Sequence, residues 1–200
     1  MLNHHETCGK LDMNKGFIPY NDKLAPLYIR NILHTLIPSS TQTIYVLGIG
    51  SNRITGDSLG SLVGTLLHNL YPRHMKIIGC LASPLDAVTF IPRLSHTNFP
   101  EKSFVITVDS ALGTIETKNS MVIRKGPFQP GAGLGHSFPF IGDCSVMGVV
   151  HEKDAAAENS LVFTNLHLIY TMAINIAKGI SLAVRQFYRY PSDEPLLVLP

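Results

Sequence analysis

Hydrophobic and polar positions fall into blocks along this chain, and the period of the pattern changes from block to block. Residues 1–22 show no period and little apolar content before Phe17, and are read as a mobile tail. From Leu24 to Leu36, Leu27, Ile32, Leu33 and Leu36 supply one side of a helix that Pro38 ends. Ile44 to Ile49 is apolar almost without a break, as expected for a strand covered on both faces of a parallel sheet. Thr55 is read as the cap of the next helix, with Gly56 at its first position and Asp57 in its first turn. Leu59, Leu62, Val63, Leu66, Leu67 and Leu70 then recur at helical spacing. A second strand covers Met75 to Leu81, and Pro84 opens a helix over Leu85 to Leu94 with Ser83 as its cap. Phe104 to Asp109 is a third strand.

Past Asp109 the rhythm changes. Met121 to Ile123 reads as an antiparallel addition, and Gly126 to His136 is a loop too rich in Gly and Pro for regular structure. Ser145 to Val150 is a further strand. Leu161 to Val184 is one long amphipathic helix, and residues 191–200 are a loose C-terminal tail. Strands alternating with helices predict an α/β fold, a three-layer α/β/α sandwich around a mostly parallel mixed sheet. Residues 23–190 form its single domain.

Chemistry concentrates where strands hand over to loops. Asp57 follows the first long strand and Asp109 ends the third, so neighbouring strands would bring two carboxyls to one cleft. Such a pair shares a proton and activates water, or supplies two oxygen ligands to a divalent metal. An Asp at either place also serves as an ordinary turn or helix-start residue. Arg53 lies on the turn before Asp57, where it pairs with that carboxylate or binds one on a substrate. The loop through Gly131, Gly133 and Gly135 to His136 can present backbone N–H groups to an oxyanion, with Asp143 orienting it. Ser51, Ser58 and Ser110 are nucleophile candidates by residue type alone. The Gly48-x-Gly50 turn lacks the third glycine and the acidic strand end of a dinucleotide site, and no P-loop Lys-Ser/Thr is present.

Composition narrows the function class. Two hundred residues suffice for one sizeable core, and a net charge of +2 without a basic stripe excludes direct nucleic-acid binding. The three cysteines, Cys8, Cys80 and Cys144, lack paired spacing, which points to a reducing, cytoplasmic compartment. No signal peptide opens the chain. Asn165, His167, Asn175 and Lys178 within the most apolar segment argue for a core helix and no membrane partner. A homo-oligomer is left open.

Four motifs carry a resemblance. Leu47-Gly48-Ile49-Gly50, Thr55-Gly56-Asp57-Ser58-Leu59-Gly60, Val108-Asp109-Ser110-Ala111-Leu112-Gly113 and Gly126-Pro127-x-x-Pro130-Gly131-Ala132-Gly133 occur in order. Together they resemble the YyaC-type sporulation protein family of spore-forming Firmicutes over about residues 43 to 182. More distantly, the motifs are similar to the germination protease that degrades small acid-soluble spore proteins. That resemblance implies a phosphorylase/hydrolase-like fold, shared with hydrogenase-maturation endopeptidases, and places two catalytic aspartates on Asp57 and Asp109. It further implies an endopeptidase-like hydrolase of the mother cell or forespore, acting on a peptide or small acid-soluble spore protein. A non-catalytic sporulation protein that binds a peptide or partner in the same cleft is the alternative. No cofactor is implied, save a divalent metal at the two aspartates. Two departures stand out: Ser51-Asn52-Arg53 replaces the relatives' Thr-Asp-Arg, and Gly56 replaces the protease's Pro.

Overall fold

The computed structural model describes residues 16–131, 138–153 and 157–198. In chain order the elements are β1 (Phe17–Pro19), α1 (Ala25–Leu36), β2 (Thr43–Gly48), α2 (Leu59–Leu67), β3 (Met75–Ile78), α3 (Phe90–Ser95), β4 (Ser103–Gly113), β5 (Ser120–Lys125), β6 (Cys144–Glu152), α4 (Ala157–Val162) and α5 (Leu166–Phe187). They build an α/β fold on one six-stranded mixed sheet of order β1-β5-β6-β4-β2-β3. β3, β2, β4 and β6 run parallel, β5 is antiparallel to β6, and β1 is antiparallel to β5.

The central strands are apolar throughout because both their faces are covered. Ile44 and Val46 of β2, with Phe104, Ile106 and Val108 of β4, pack into the main core with α1, α2 and α5. Leu47 and Val105 point the other way, into a smaller cluster with Leu85 and Phe90 that Phe128, Phe138 and Ile141 border. α5 is long and apolar enough to cross a membrane by length, yet it is the core helix here. Ile169, Met172, Ala173, Ile176, Ala177, Ile180, Ala183 and Val184 are fully buried along it. Asn165 caps this helix, its side-chain oxygen accepting the His167 N–H at 2.8 Å.

Several expected boundaries move. The stretch read as an N-terminal tail contains β1, whose register pairs Phe17 with Val122. Residues beyond Pro191 are docked as well: Val198 N–H donates to the Leu66 carbonyl at 2.8 Å, and Leu197 packs on the main core. The helix expected over Leu85–Leu94 shrinks to α3, because Leu85 forms a β-bridge to Ile49 and Gly50 and is held out of helix. The helix expected from Leu161 is interrupted between α4 and α5. Thr55 caps nothing: Thr55–Asp57 is a single 3-10 turn and α2 begins at Leu59. Asp109 is not a strand end either, since β4 continues to Gly113.

Candidate functional site

The site forms where β2 and β4 part. From β2 the chain crosses to β3 on one side, whereas β4, the next strand in sequence, returns to the other side of β2. The carboxyl end of such a pair is the crevice in which open α/β sheets hold ligands. Gly50 makes the departure, with φ of +131° and its N–H donated to the Leu85 carbonyl at 3.0 Å. A Cβ on Gly50 would lie 1.9 Å from the Asp57 carbonyl oxygen, so only glycine lets the turn carrying Asp57 fold back this closely.

A cavity of about 500 Å³ fills the crevice. Asp57, Asp86 and Asp109 line it together with aromatic walls from Phe90, Phe128 and Phe138. Ile54, Leu161 and Val162 add further apolar surface, and Gln129, Pro130 and Gly131 bring the Gly/Pro-rich loop to it. The two expected aspartates therefore meet at one cavity, with Gly131 beside them. Gly133, Gly135 and His136 lie outside the described residues. Arg53 is exposed and absent from the lining, and the expected pairing with Asp57 is not formed. Its charge acts on Asp86 instead. Asp143 turns away to β4, accepting the Val105 N–H at 2.7 Å and so fixing where the Gly/Pro-rich loop rejoins the sheet.

The three carboxyls differ in what surrounds them. Asp57 is held by the turn, its Oδ2 accepting the Ser51 N–H at 2.8 Å. Burial pushes its pKa up from 3.8 to about 6, against the pull of that hydrogen bond and with a further push from the Asp86 charge. Asp109 is only 6% exposed. Burial, and then the charge of Asp57, raise it well above the ordinary carboxyl range, and the Ser110 N–H donated to its Oδ1 at 2.7 Å offsets little of this. Asp86 goes the other way. Burial alone would raise it, but its Oδ1 accepts from the Val88 N–H, the Thr89 N–H and the Thr89 hydroxyl, and Arg53 is near. It stays ionised. The crevice thus holds two carboxyls raised by burial, Asp57 to about 6 and Asp109 well above the ordinary range, beside a third, Asp86, held low. Among the described residues no cluster of three or more His, Cys, Asp or Glu side chains is placed to hold a metal. A cation at Asp57 and Asp109 would take its other ligands from backbone or water.

Asp86 and the aromatic walls escaped the sequence reading. Asp86 follows the carboxyl end of a third parallel strand, β3, which is the same positional signal that marked Asp57; it was absorbed into the helix expected from Leu85. Of the three serines, Ser51 accepts the Arg53 N–H and Ser58 donates to the Thr55 carbonyl. The Ser110 hydroxyl is buried beside Asp109 without a hydrogen-bond partner among the described residues.

The model of the family described as "Protein of unknown function (DUF1256)" matches residues 17–179, from β1 into α5. The chain belongs to the DUF1256 family. It is also 34% identical over 184 residues to "Uncharacterized protein YyaC" of Bacillus subtilis (strain 168), covering 91% of this chain and 90% of that protein. The DUF1256 match takes in all three carboxyls and the aromatic walls of the crevice.

Proposed function

We propose that this chain is an endopeptidase-like hydrolase of spore-forming bacteria, acting in the mother cell or forespore on a spore protein. In this reading its fold is the three-layer sandwich of the germination-protease type. The observation that carries the proposal is the pair of carboxyls lining one crevice, both raised by burial, Asp57 to about 6 and Asp109 well above the ordinary range. Asp57, ionised above about pH 6, takes a proton from water. Asp109, protonated, donates its proton to the oxygen of the scissile carbonyl as the water oxygen bonds to the carbonyl carbon. The gem-diol then returns a proton to Asp109, and Asp57 passes its proton to the amide nitrogen as the C–N bond breaks. One carboxylic acid and one amine leave, and both aspartates regain their starting states. Gln129, Pro130 and Gly131 lie against the peptide, with Arg53 outside on the approach.

A second reading is favoured by Asn52, whose side-chain amide donates to the Leu81 carbonyl at 2.9 Å. That residue ties the turn to the end of β3 and adds no third carboxylate, which suits a cleft that binds a peptide without cutting it. Incubation of the purified chain with a small acid-soluble spore protein, read by mass spectrometry, separates the two. Defined fragments support the hydrolase, whereas saturable binding of intact protein supports the binding module.

A further inference from the structure

The parting of β2 and β4 leaves more than a cavity. The last rung between them is the Ile49 N–H donated to the Val108 carbonyl at 2.8 Å. Beyond it β4 runs on from Asp109 to Gly113 with a partner on the β6 side only. Backbone groups of alternate residues face opposite edges of a strand. The Gly113 carbonyl accepts from the Lys153 N–H at 2.9 Å, on the β6 side. Val108, Ser110 and Leu112 therefore present their groups to the other edge, which borders the cavity. The Ser110 N–H is taken by Asp109 Oδ1. The Ser110 carbonyl and the Leu112 N–H and carbonyl have no bond to another strand among the described residues. A paired backbone group is the rule inside a protein, and here a half-buried stretch of strand with no partner strand on one side among the described residues stands beside a buried acid.

We infer that the open edge of β4 at Ser110–Leu112 receives an extended polypeptide as an added strand, with one bulky apolar side chain seated against the aromatic wall that Phe128 and the packed Phe90–Phe138 pair form. The inference rests on the peptide-hydrolase reading for the class of substrate, and adds how the substrate is held. Strand addition gives affinity through main-chain bonds, with side-chain pockets adding selectivity. The cavity has the size of a small-ligand site and is walled mainly by apolar side chains, so it suits a few residues of chain. Asp109 sits at the edge itself, because its Oδ1 reaches the N–H of Ser110. A peptide laid along the edge would bring its own amide beside that carboxyl. Side chains alternate along the added strand, so every second residue would enter the aromatic pocket and its neighbours would face the rim.

The test uses Asp57→Asn protein, which keeps the edge intact while removing the base, and blocked pentapeptides acetyl-Ala-Ala-X-Ala-Ala-amide with X as Phe or Leu. Calorimetry should show binding, and the Leu112 amide should exchange more slowly with solvent when peptide is present. N-methylation of the peptide at the positions that face the edge should weaken binding about tenfold or more, which is about 1.4 kcal/mol or more, since the main-chain bonds to the edge are lost. Leu112→Pro should lose binding and keep the native circular dichroism, because the N–H it removes faces no strand of the fold. Should that variant misfold, the N-methylated peptides still decide. Equal affinity for methylated and unmethylated peptides, an unchanged Leu112 exchange rate, or no binding at millimolar peptide overturns the inference. In the unmutated chain, methylation-sensitive binding without cleavage sinks the hydrolase and spares the strand site. Cleavage indifferent to methylation does the reverse.

Discussion

Replacing Asp57 by Asn should stabilise this protein, and by an amount that depends on pH in a defined way. In the unfolded chain the carboxyl ionises at its ordinary value of 3.8, whereas burial in the crevice moves that to about 6. Below pH 3.8 both states hold the proton and Asp57 contributes no difference. Between the two values the native state retains a proton that the unfolded state has lost, so stability falls as pH rises. Above about 6 the penalty is constant. At about 1.36 kcal/mol per unit it amounts to about 3 kcal/mol, a ceiling because the new Asn N–H must also find an acceptor. Asn still offers the Ser51 N–H an oxygen, so the turn is kept. Urea unfolding of both proteins at pH 3, 6 and 8 should give curves that coincide at the lowest pH and separate by pH 6, with the gap then nearly level. Asp109→Asn should stabilise in the same sense as pH rises, because burial and the charge of Asp57 raise that carboxyl too. Equal stabilities at pH 8, or a native protein that gains stability relative to Asp57→Asn from pH 4 to 7, would refute the burial argument.

Three further outcomes are expected. In a single-turnover assay, Asp57→Asn and Asp109→Asn should each abolish hydrolysis and the double variant should be little worse, since either loss disables the same proton transfer; full activity in either single variant removes the dyad. The pH profile of kcat/KM should rise through about 6 as Asp57 ionises and fall at higher pH as Asp109 loses its proton, so a profile flat from pH 5 to 8 contradicts the assignment. Gly60→Ala should lower stability by about 1–3 kcal/mol, since its Cβ would sit 2.2 Å from the Ile49 carbonyl oxygen and 2.5 Å from that of Val108. An unchanged urea midpoint would show that α2 does not rest on the β2–β4 junction.

How far the sequence could be read follows from which forces are local. β2 and β4 were legible because strands covered on both faces must be apolar without alternation, and Ile44 to Ile49 and Phe104 to Val108 are. β1 was not, because three residues carry no period and owe their form to pairing with β5. Leu85 follows Pro84, a residue suited to open a helix, but a bridge to Ile49 and Gly50 outweighs propensity at Leu85. The α4–α5 break is silent in hydrophobic periodicity, as Leu161, Leu168, Ile169 and Met172 are all buried on either side of it. Only Thr164 and Asn165, a buried Thr and a capping Asn, mark it. The expected convergence of Asp57 and Asp109 on one crevice holds although β4 runs on past Asp109, because the pairing of β2 with β4 ends at Val108. Asp86 was hidden inside an expected helix, and the aromatic walls come from three separate stretches whose meeting depends on the folded loops.

The same divergence of two strands accounts for both the acid and the edge. While β2 and β4 run together, every backbone group between them is paired and no cavity can form. Gly50 ends that pairing by turning to Leu85, and the first β4 residue beyond the last rung is Asp109. Its carboxyl is buried by the sheet and the aromatic walls, which raises its pKa, and no cation among the described residues pairs with it. Asp57, on the departing turn, is anchored to the Ser51 N–H and keeps a smaller shift. The asymmetry of the pair is therefore set by topology: one member rides the strand that continues, and the other rides the chain that leaves. A variant with the turn lengthened by one Gly after Gly50 should lower the Asp57 pKa toward its ordinary value by exposing it, while leaving Asp109 raised by burial. Carbon-13 titration of the two carboxyl signals checks this, and a parallel fall in both would show that their mutual charge, and not the burial imposed by each strand, governs the site.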